Sequence, residues 1–239
     1  MMDEVNATSY SCGNRLLDAL PVSDHAGLRV DLEIIALRAK QATHSAGQAM
    51  AHIDFPIDAV LSVVATLKNG DTIEVGTVGS ESFVESDAAL SSSFSARTSF
   101  CQVEGRVGRM SLERFEQRMK QSDLFARSMR QNVRAVLFSA QQFTVCNLKH
   151  SIVQRCARWL AMTADRVGRP DFTLSREFLG IMLGAAAAGV TGAVVSLEDL
   201  RAIEYRGNAV TILDRGVLEG SACECYEVTK AAFVSSLCE

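Results

Sequence analysis

The densest group of soft metal ligands in the chain is Cys223-x-Cys225, followed at a distance by Cys238. Thiolates at that spacing could share zinc or a similar ion, but ligation needs further donors, and the sequence places none beside them. The expectation is free thiols and no metal site. Seven cysteines (Cys12, Cys101, Cys146, Cys156, Cys223, Cys225 and Cys238) are an odd number, scattered through a chain of 239 residues. A chain of that length needs no disulfide staples, so the pattern is that of reduced thiols in a cytoplasmic protein. The four histidines (His25, His44, His52 and His150) stand at no ligand spacing, and His150 reads as a packed or capping residue. No Gly-x-Ser-x-Gly elbow, P-loop, His-Glu-x-x-His pair or dinucleotide fingerprint is present. No catalytic residues, no enzyme and no resident cofactor are therefore expected, while an unidentified small-molecule effector is left open.

Charge is distributed unevenly. Residues 1–96 hold 13 acids against 5 bases, whereas 97–134 hold 9 bases against 4 acids. No acid occurs from Leu124 to Ala164, a stretch that contains Arg127, Arg130, Arg134, Lys149, Arg155 and Arg158. Such a basic middle could face a polyanion, or its arginines could snorkel and pair with the acidic first segment. Met1 to Tyr10 is polar and carries Asp3 and Glu4, unlike a secretory leader.

The elements that must position these residues follow from periodicity. Val60, Ser62 and Val64, then Ile73, Val75 and Thr77, alternate on either side of Lys68-Asn69-Gly70-Asp71, the signature of a tight hairpin. With the short runs Met50–Phe55 and Ser99–Val103, this predicts an antiparallel β module over residues 25–110. Ser111 is the expected N-cap of a helical stretch, since no Gly or Pro occurs between Arg109 and Val167. Met129, Val133, Val136, Ala140 and Phe143 follow a 4-3-4-3 spacing, which predicts a self-association seam and hence a homodimer. After Gly168-Arg169-Pro170, Ser175 caps a helix over Arg176–Leu183, Gly184 ends it, and a second helix runs from about Ala187 to Leu200. Ile203–Tyr205 and Val210–Leu213 flank Gly207-Asn208 as a second hairpin. Two short helices and a hairpin suggest a winged helix-turn-helix.

The run His150-Ser151-Ile152-Val153-Gln154-Arg155-Cys156-Ala157-Arg158-Trp159-Leu160, Asp165 to Gly168, Phe178-Leu179 through Met182-Leu183-Gly184, Val210 to Arg215 and Cys223 to Tyr226 together resemble the Crp/Fnr bacterial transcription regulators. Asp54-Phe55-Pro56 and Glu74 to Gly79 are similar to that family's β-roll. The resemblance implies an α+β chain with a jelly-roll-like, antiparallel β-roll sensor of the cyclic-nucleotide-binding type, a long dimerisation helix and a C-terminal winged helix-turn-helix that binds a palindromic operator. The expected divisions are an N-terminal segment (1–24), sensor (25–110), helical linker and dimerisation helix (111–148) and DNA-binding domain (149–239).

Carried over residue by residue, the family's phosphate-positioning groups fall on Ser175, Arg176 and Arg206, and its base-reading positions on Ala187, Ala188 and Gly192. The latter lie in or beside the run Ala185 to Gly189, which includes Ala186, with Thr191 the one polar side chain nearby. Alanine and glycine side chains make no hydrogen bond to a base edge, and residues 166–215 hold 6 bases and 6 acids, so DNA binding is expected to be weak in sequence readout. Glu81, Arg97 and Thr98 are the effector-pocket candidates, though Gly79-Ser80-Glu81 does not reproduce the cyclic-nucleotide cradle and cyclic AMP is not expected. The alternative reading is a dimeric sensor or interaction protein that has lost sequence-specific DNA binding. Phe178–Leu197 is free of charge for 20 residues, but its glycines and the lack of an aromatic belt argue against a membrane span.

Overall fold

The computed structural model describes residues 11–238, so the reading of Met1 to Tyr10 lies outside the described residues. The alternation around Asn69-Gly70 folds as expected: β4 (Val60–Thr66) and β5 (Thr72–Val78) pair antiparallel, and Gly70 takes φ 90°, a conformation that favours glycine in such a turn. With β2 (Ala42–His44) and β6 (Thr98–Val103) they form a four-stranded sheet in the order β2-β6-β4-β5. A second sheet, β1-β7-β3, comprises Glu33–Leu37, Gly105–Ser111 and His52–Pro56. The chain passes from one sheet to the other at Gly105, where a Cβ would meet the Ala59 backbone nitrogen at 2.5 Å, so only glycine fits. Two helices, α1 (Arg15–Asp18) and α2 (Val22–Asp31), precede the first strand, and Leu16, Leu17 and Leu28 on them are buried in one cluster with Ile53 and Phe55. Phe55, Phe83, Phe115 and Phe125 stack beneath the second sheet in one buried cluster, which ties the roll to the helices that follow.

The uninterrupted helical stretch is in fact three helices: α3 (Leu112–Gln121), α4 (Asp123–Lys149) and α5 (Ile152–Val167). Serines make the breaks. Ser111, Ser122 and Ser151 each adopt extended φ/ψ and accept a hydrogen bond from the backbone N–H three residues on, and Ser151 completes a capping box with Gln154. Absence of Gly and Pro does not guarantee continuity when serine offers the backbone an alternative partner.

The C-terminal module comprises β8 (Asp171–Thr173), α6 (Arg176–Leu183), α7 (Ala187–Asp199), β9 (Ile203–Arg206), β10 (Ala209–Ile212), α8 (Arg215–Ser221) and α9 (Cys225–Cys238). Ser175 caps α6, Gly184 closes it with φ 57°, and β8-β10-β9 form a three-stranded wing. The helices α8 and α9 and strand β8 have no counterpart in the sequence expectations. α9 folds back along α4: Cys223 and Cys225 lie beside Cys146, while Ser235 and Ser236 share a cavity with Gln131 and Ala135, so the two helices are antiparallel. The charge-free run Phe178–Leu197 is split between α6 and α7, which bend by 108°, and no single described helix is long and apolar enough to cross a membrane.

The two modules share a core. Val60 and Val103 of the four-stranded sheet belong to the same buried cluster as Trp159, Leu179 and Val194. Phe178 meets Phe100 edge to face at 5.8 Å, and Ser62 Oγ lies 3.6 Å from Met182 Sδ. α6 is thereby held against the sheet.

Candidate nucleic-acid interface, effector cavity and thiol cluster

Docking α6 on the sheet turns the outer face of α7 to solvent. Val190, Ala193, Val194 and Leu197 point inward, whereas Ala186, Ala187, Ala188, Thr191 and Gly192 are exposed, together with Val195. The structure brings the expected base-reading positions onto one exposed face, and Thr191 is its one polar side chain among the positions named. The expected phosphate groups flank it. Ser175 Oγ is occupied as the α6 cap by the Phe178 N–H. Arg176 lies over the Tyr205 ring and 3.8 Å from Glu198, and Arg206 is 81% exposed but bonded at 2.8 Å to Glu204. Neighbouring carboxylates thus offset both cations.

A cavity of about 270 Å³ opens between the roll and α4, walled by Val75, Phe83, Glu85, Asp87, Arg97, Ser99, Val136 and Ala140, with Phe233 of α9 at its edge. Of the three effector candidates only Arg97 lines it; its guanidinium donates to the Ala96 carbonyl. Thr98 is turned away, its Oγ1 accepting from the Ala46 N–H. Glu81 is not available to a ligand there either: its carboxylate accepts a 2.7 Å bond from Arg166 Nε of α5, with both side chains buried. Sequence spacing placed Glu81 near the pocket, but the helix that packs on the roll brings the stronger partner. Glu85, missed in the sequence, has φ 66° and a carboxyl that burial pushes up to about 7, with His44 Nδ1 at 3.7 Å. Nearby, burial opposes the charge of Asp54, yet His52 at 3.6 Å and a two-pronged hydrogen bond from Arg109 hold its carboxyl below the usual range.

The expected self-association seam is placed differently. Met129 is fully buried in the roll's aromatic cluster, Val133 packs against the same cluster, Val136 and Ala140 face the cavity, and Phe143 lies under Arg158 in the C-terminal core. The chain's own modules thus cover Met129 and partly cover Val133 and Phe143, whereas Ala140 stays exposed. Exposed apolar side chains on α4 are instead Leu124, Leu137, Phe138, Val145 and Leu148. The arginines of the basic stretch divide likewise: Arg127, Arg130 and Arg134 are exposed on α4, while Arg158 is buried.

The six cysteines whose side chains are described form no disulfide, as expected, but three of them are gathered in a way the sequence did not indicate. Cys223 and Cys225 meet Cys146 and His150, the last turn of α4 and its cap, and the four ligand atoms lie within 4.8 Å of one another. Cys238, the partner considered from sequence, is not among them; its side chain is outside the described set. Cys146 Sγ is 3.4 Å from Cys223 Sγ, and His150 Nδ1 is 3.6 Å from Cys225 Sγ. The contact with Cys223 lowers the Cys146 thiol and raises that of Cys223 in turn. The i, i+4 spacing of Cys146 and His150 in a helix was the available signal, but nothing local pointed to a loop 77 residues away.

The fold is similar to that of several solved regulators. FixK2 from Bradyrhizobium japonicum superposes with a TM-score of 0.66 at 14% identity, covering 80% of this chain and 98% of that one. TTHB099, a CRP-family transcriptional regulator from Thermus thermophilus, gives 0.63 at 19% identity over 81% and 99% of the two chains. The c-di-GMP-responsive global regulator CLP of Xanthomonas campestris gives 0.60 at 15% identity over 79% and 99%. No curated protein matches the chain by sequence. Residues 154–220 match the family described as the Crp-like helix-turn-helix domain. The chain therefore has the fold of these regulators and carries a match to a Crp-like helix-turn-helix domain over that segment.

Proposed function

We propose that the protein is a DNA-binding transcription regulator that acts as a homodimer in the cytoplasm, docks α7 in the major groove and contacts phosphates through Arg176 and Arg206, with an effector-responsive β-roll. The observation that carries this reading is the exposed outer face of α7 on a winged helix-turn-helix scaffold. Phosphate contacts position such a module, whereas base contacts specify sequence. With Ala187, Ala188 and Gly192 at the base-reading positions, operator preference is small and binding is salt-sensitive. A dimer presents two such faces to a palindrome, and the exposed side chains Leu137, Val145 and Leu148 offer α4 a surface for self-association.

The β-roll cavity suits a small ligand. CLP is described as responsive to c-di-GMP, but here Glu85 and Asp87 share the cavity wall with the one arginine, Arg97. Asp87 beside the one guanidinium, and Glu85 with a carboxyl that burial pushes up to about 7, leave little net positive charge for a cyclic phosphate, so the effector class is neutral or cationic. A second reading, an interaction protein without operator selectivity, is favoured by the apolar character of that same α7 face and by exposed Ile181 and Val195.

Fluorescence anisotropy with the chain's own upstream region and a scrambled duplex, each at two salt concentrations, separates the readings. DNA regulation is expected to give affinity that falls steeply with salt and a preference for the upstream duplex of about tenfold, the remnant after losing contacts worth about 1–3 kcal/mol each. Absence of binding to either duplex at low salt overturns the DNA reading in favour of the interaction protein.

A further inference from the structure

The three cysteines gathered at the end of α4 are packed by nothing that a hydrophobic core requires. Cys146, Cys223 and Cys225 are 0%, 3% and 0% exposed and form a buried cluster composed of cysteines alone. An imidazole completes the group, with Nδ1 turned to Cys225 Sγ. A single buried thiol packs as a small hydrophobe, but three thiols converging with one ring nitrogen within 4.8 Å place four donor atoms around one point.

The arrangement is that of a donor set. A tetrahedral zinc ion, with bonds of about 2.3 Å to sulfur and about 2.0 Å to nitrogen, holds its ligand atoms about 3.5–3.8 Å apart. The observed separation of 3.6 Å for Cys225 to His150 falls in that range, and that of 3.4 Å for Cys146 to Cys223 is slightly shorter, so an ion needs only a small outward shift of the two sulfurs. An iron-sulfur cluster, in which thiolates sit on separate irons, would spread the sulfurs further. The surroundings also fit. Glu224 accepts from His150 Nε2 at 3.2 Å, which fixes the tautomer that leaves Nδ1 as a ligand, and Gln142 Nε2 donates to Cys225 Sγ at 3.1 Å. Arg155 and Arg158 lie close enough to bear on Cys146, and the Nε of each is buried without a partner among the described residues. Three thiolates and a dication carry one net negative charge, which those guanidinium groups complement.

We propose that Cys146, His150, Cys223 and Cys225 bind one zinc-class divalent ion in a closed tetrahedral site that fastens the α8–α9 turn to the C-terminal end of α4. Three thiols release their protons as the metal binds, and no electron transfer is involved. Because α9 runs from this site back to the β-roll, where Phe233 borders the cavity, the ion fixes the position of the helix that closes that cavity's edge. The inference concerns metal binding and stands independently of the DNA reading.

The test is cobalt titration of the full chain, reduced and stripped with chelator. One equivalent of Co²⁺ is expected to develop thiolate-to-cobalt charge-transfer and intense tetrahedral d–d bands, and one equivalent of Zn²⁺ to bleach them. Cys146→Ser, Cys223→Ser and Cys225→Ser should each reduce the charge-transfer intensity and weaken binding at least 100-fold, while Cys12→Ser, remote from the site, leaves both unchanged. Glu224→Gln, on the surface and safe for folding, is expected to weaken binding about 10–100-fold while leaving the spectrum tetrahedral. Circular dichroism confirms that each variant is folded. A reduced, folded protein that takes up no stoichiometric cobalt overturns the proposal, as does cobalt binding indifferent to both the cysteine substitutions and Glu224→Gln. Protein that carries a Cys146–Cys223 disulfide, and still binds no cobalt once reduced, would identify a redox pair in its place.

Discussion

Glu81 Oε1 accepts a 2.7 Å hydrogen bond from Arg166 Nε, with side chains 7% and 6% exposed, and the pair joins the β-roll to α5. Asn132 of α4 donates to the Glu81 backbone carbonyl at 2.8 Å, so three elements meet at one residue. Gly79 makes room for this contact, since a Cβ there would meet Arg166 Cβ at 2.6 Å. Breaking a buried pair leaves an uncompensated charge, which costs about 3–5 kcal/mol, whereas replacing both partners by apolar groups is far milder. Arg166→Ala is expected to lower the urea midpoint markedly. The double change Glu81→Leu with Arg166→Met should recover most of the loss. If the single variant were as stable as the parent, the pair would not be a structural joint.

Glu85 gives the roll a pH dependence of defined sign. Burial raises its carboxyl to about 7, above an unfolded value of about 4.3, so the folded protein holds that proton more tightly. The resulting stabilisation is complete below the unfolded value and is lost as pH rises through about 7. Glu85→Gln is therefore expected to flatten the fall in thermal midpoint between pH 5 and pH 8 that the parent displays. His44, 3.7 Å away, is lowered by its own burial and contributes in the opposite direction, but it is common to both proteins. Parallel pH profiles for the two would rule out Glu85 as the titrating group.

Self-association should map to the exposed side of α4. Leu137 and Leu148 are 59% and 78% exposed, and changing both to Glu is expected to convert a sedimenting dimer to a folded monomer. Val133→Glu would instead place a charge against the roll core and reduce stability by about 1–3 kcal/mol or more in urea unfolding. A double glutamate variant that still sediments as a dimer would move the interface elsewhere.

Local chemistry was legible in the sequence wherever one residue decides a conformation. Asn69-Gly70 fixes a hairpin, Ser175 and Gly184 bracket α6, and Gly207-Asn208 turns the wing. The period on α4 was legible as an apolar face but not as a particular neighbour, because a 3.5-residue repeat is the same whether a second chain or the β-roll packs on it. The thiol site was illegible for a related reason. Cys146 and Cys223 are brought together by the reversal of the chain through α8 and α9, and α9 shows little amphipathic pattern, since Cys225, Tyr226, Thr229, Phe233 and Ser236 supply its buried side. Glu81 was misplaced because its partner, Arg166, lies on an element whose docking no local spacing encodes.

The exposed face of α7 permits a gain-of-function test. Ala187 and Ala188 are the proposed base-reading positions on a helix whose inward residues Val190, Val194 and Leu197 already fix it in the domain. Arginine at either exposed site disturbs no packing, and alanine and arginine are both good helix formers. Each bidentate arginine–guanine contact is worth about 1–3 kcal/mol of discrimination, and each added cation also steepens the salt dependence. Ala187→Arg with Ala188→Arg is therefore expected to raise DNA affinity at least tenfold at moderate salt and to sharpen preference for guanine-containing half-sites in a binding selection. Affinity that rises equally for all duplexes would show that the new arginines reach phosphates only. No rise at all would mean that α7 does not enter the groove.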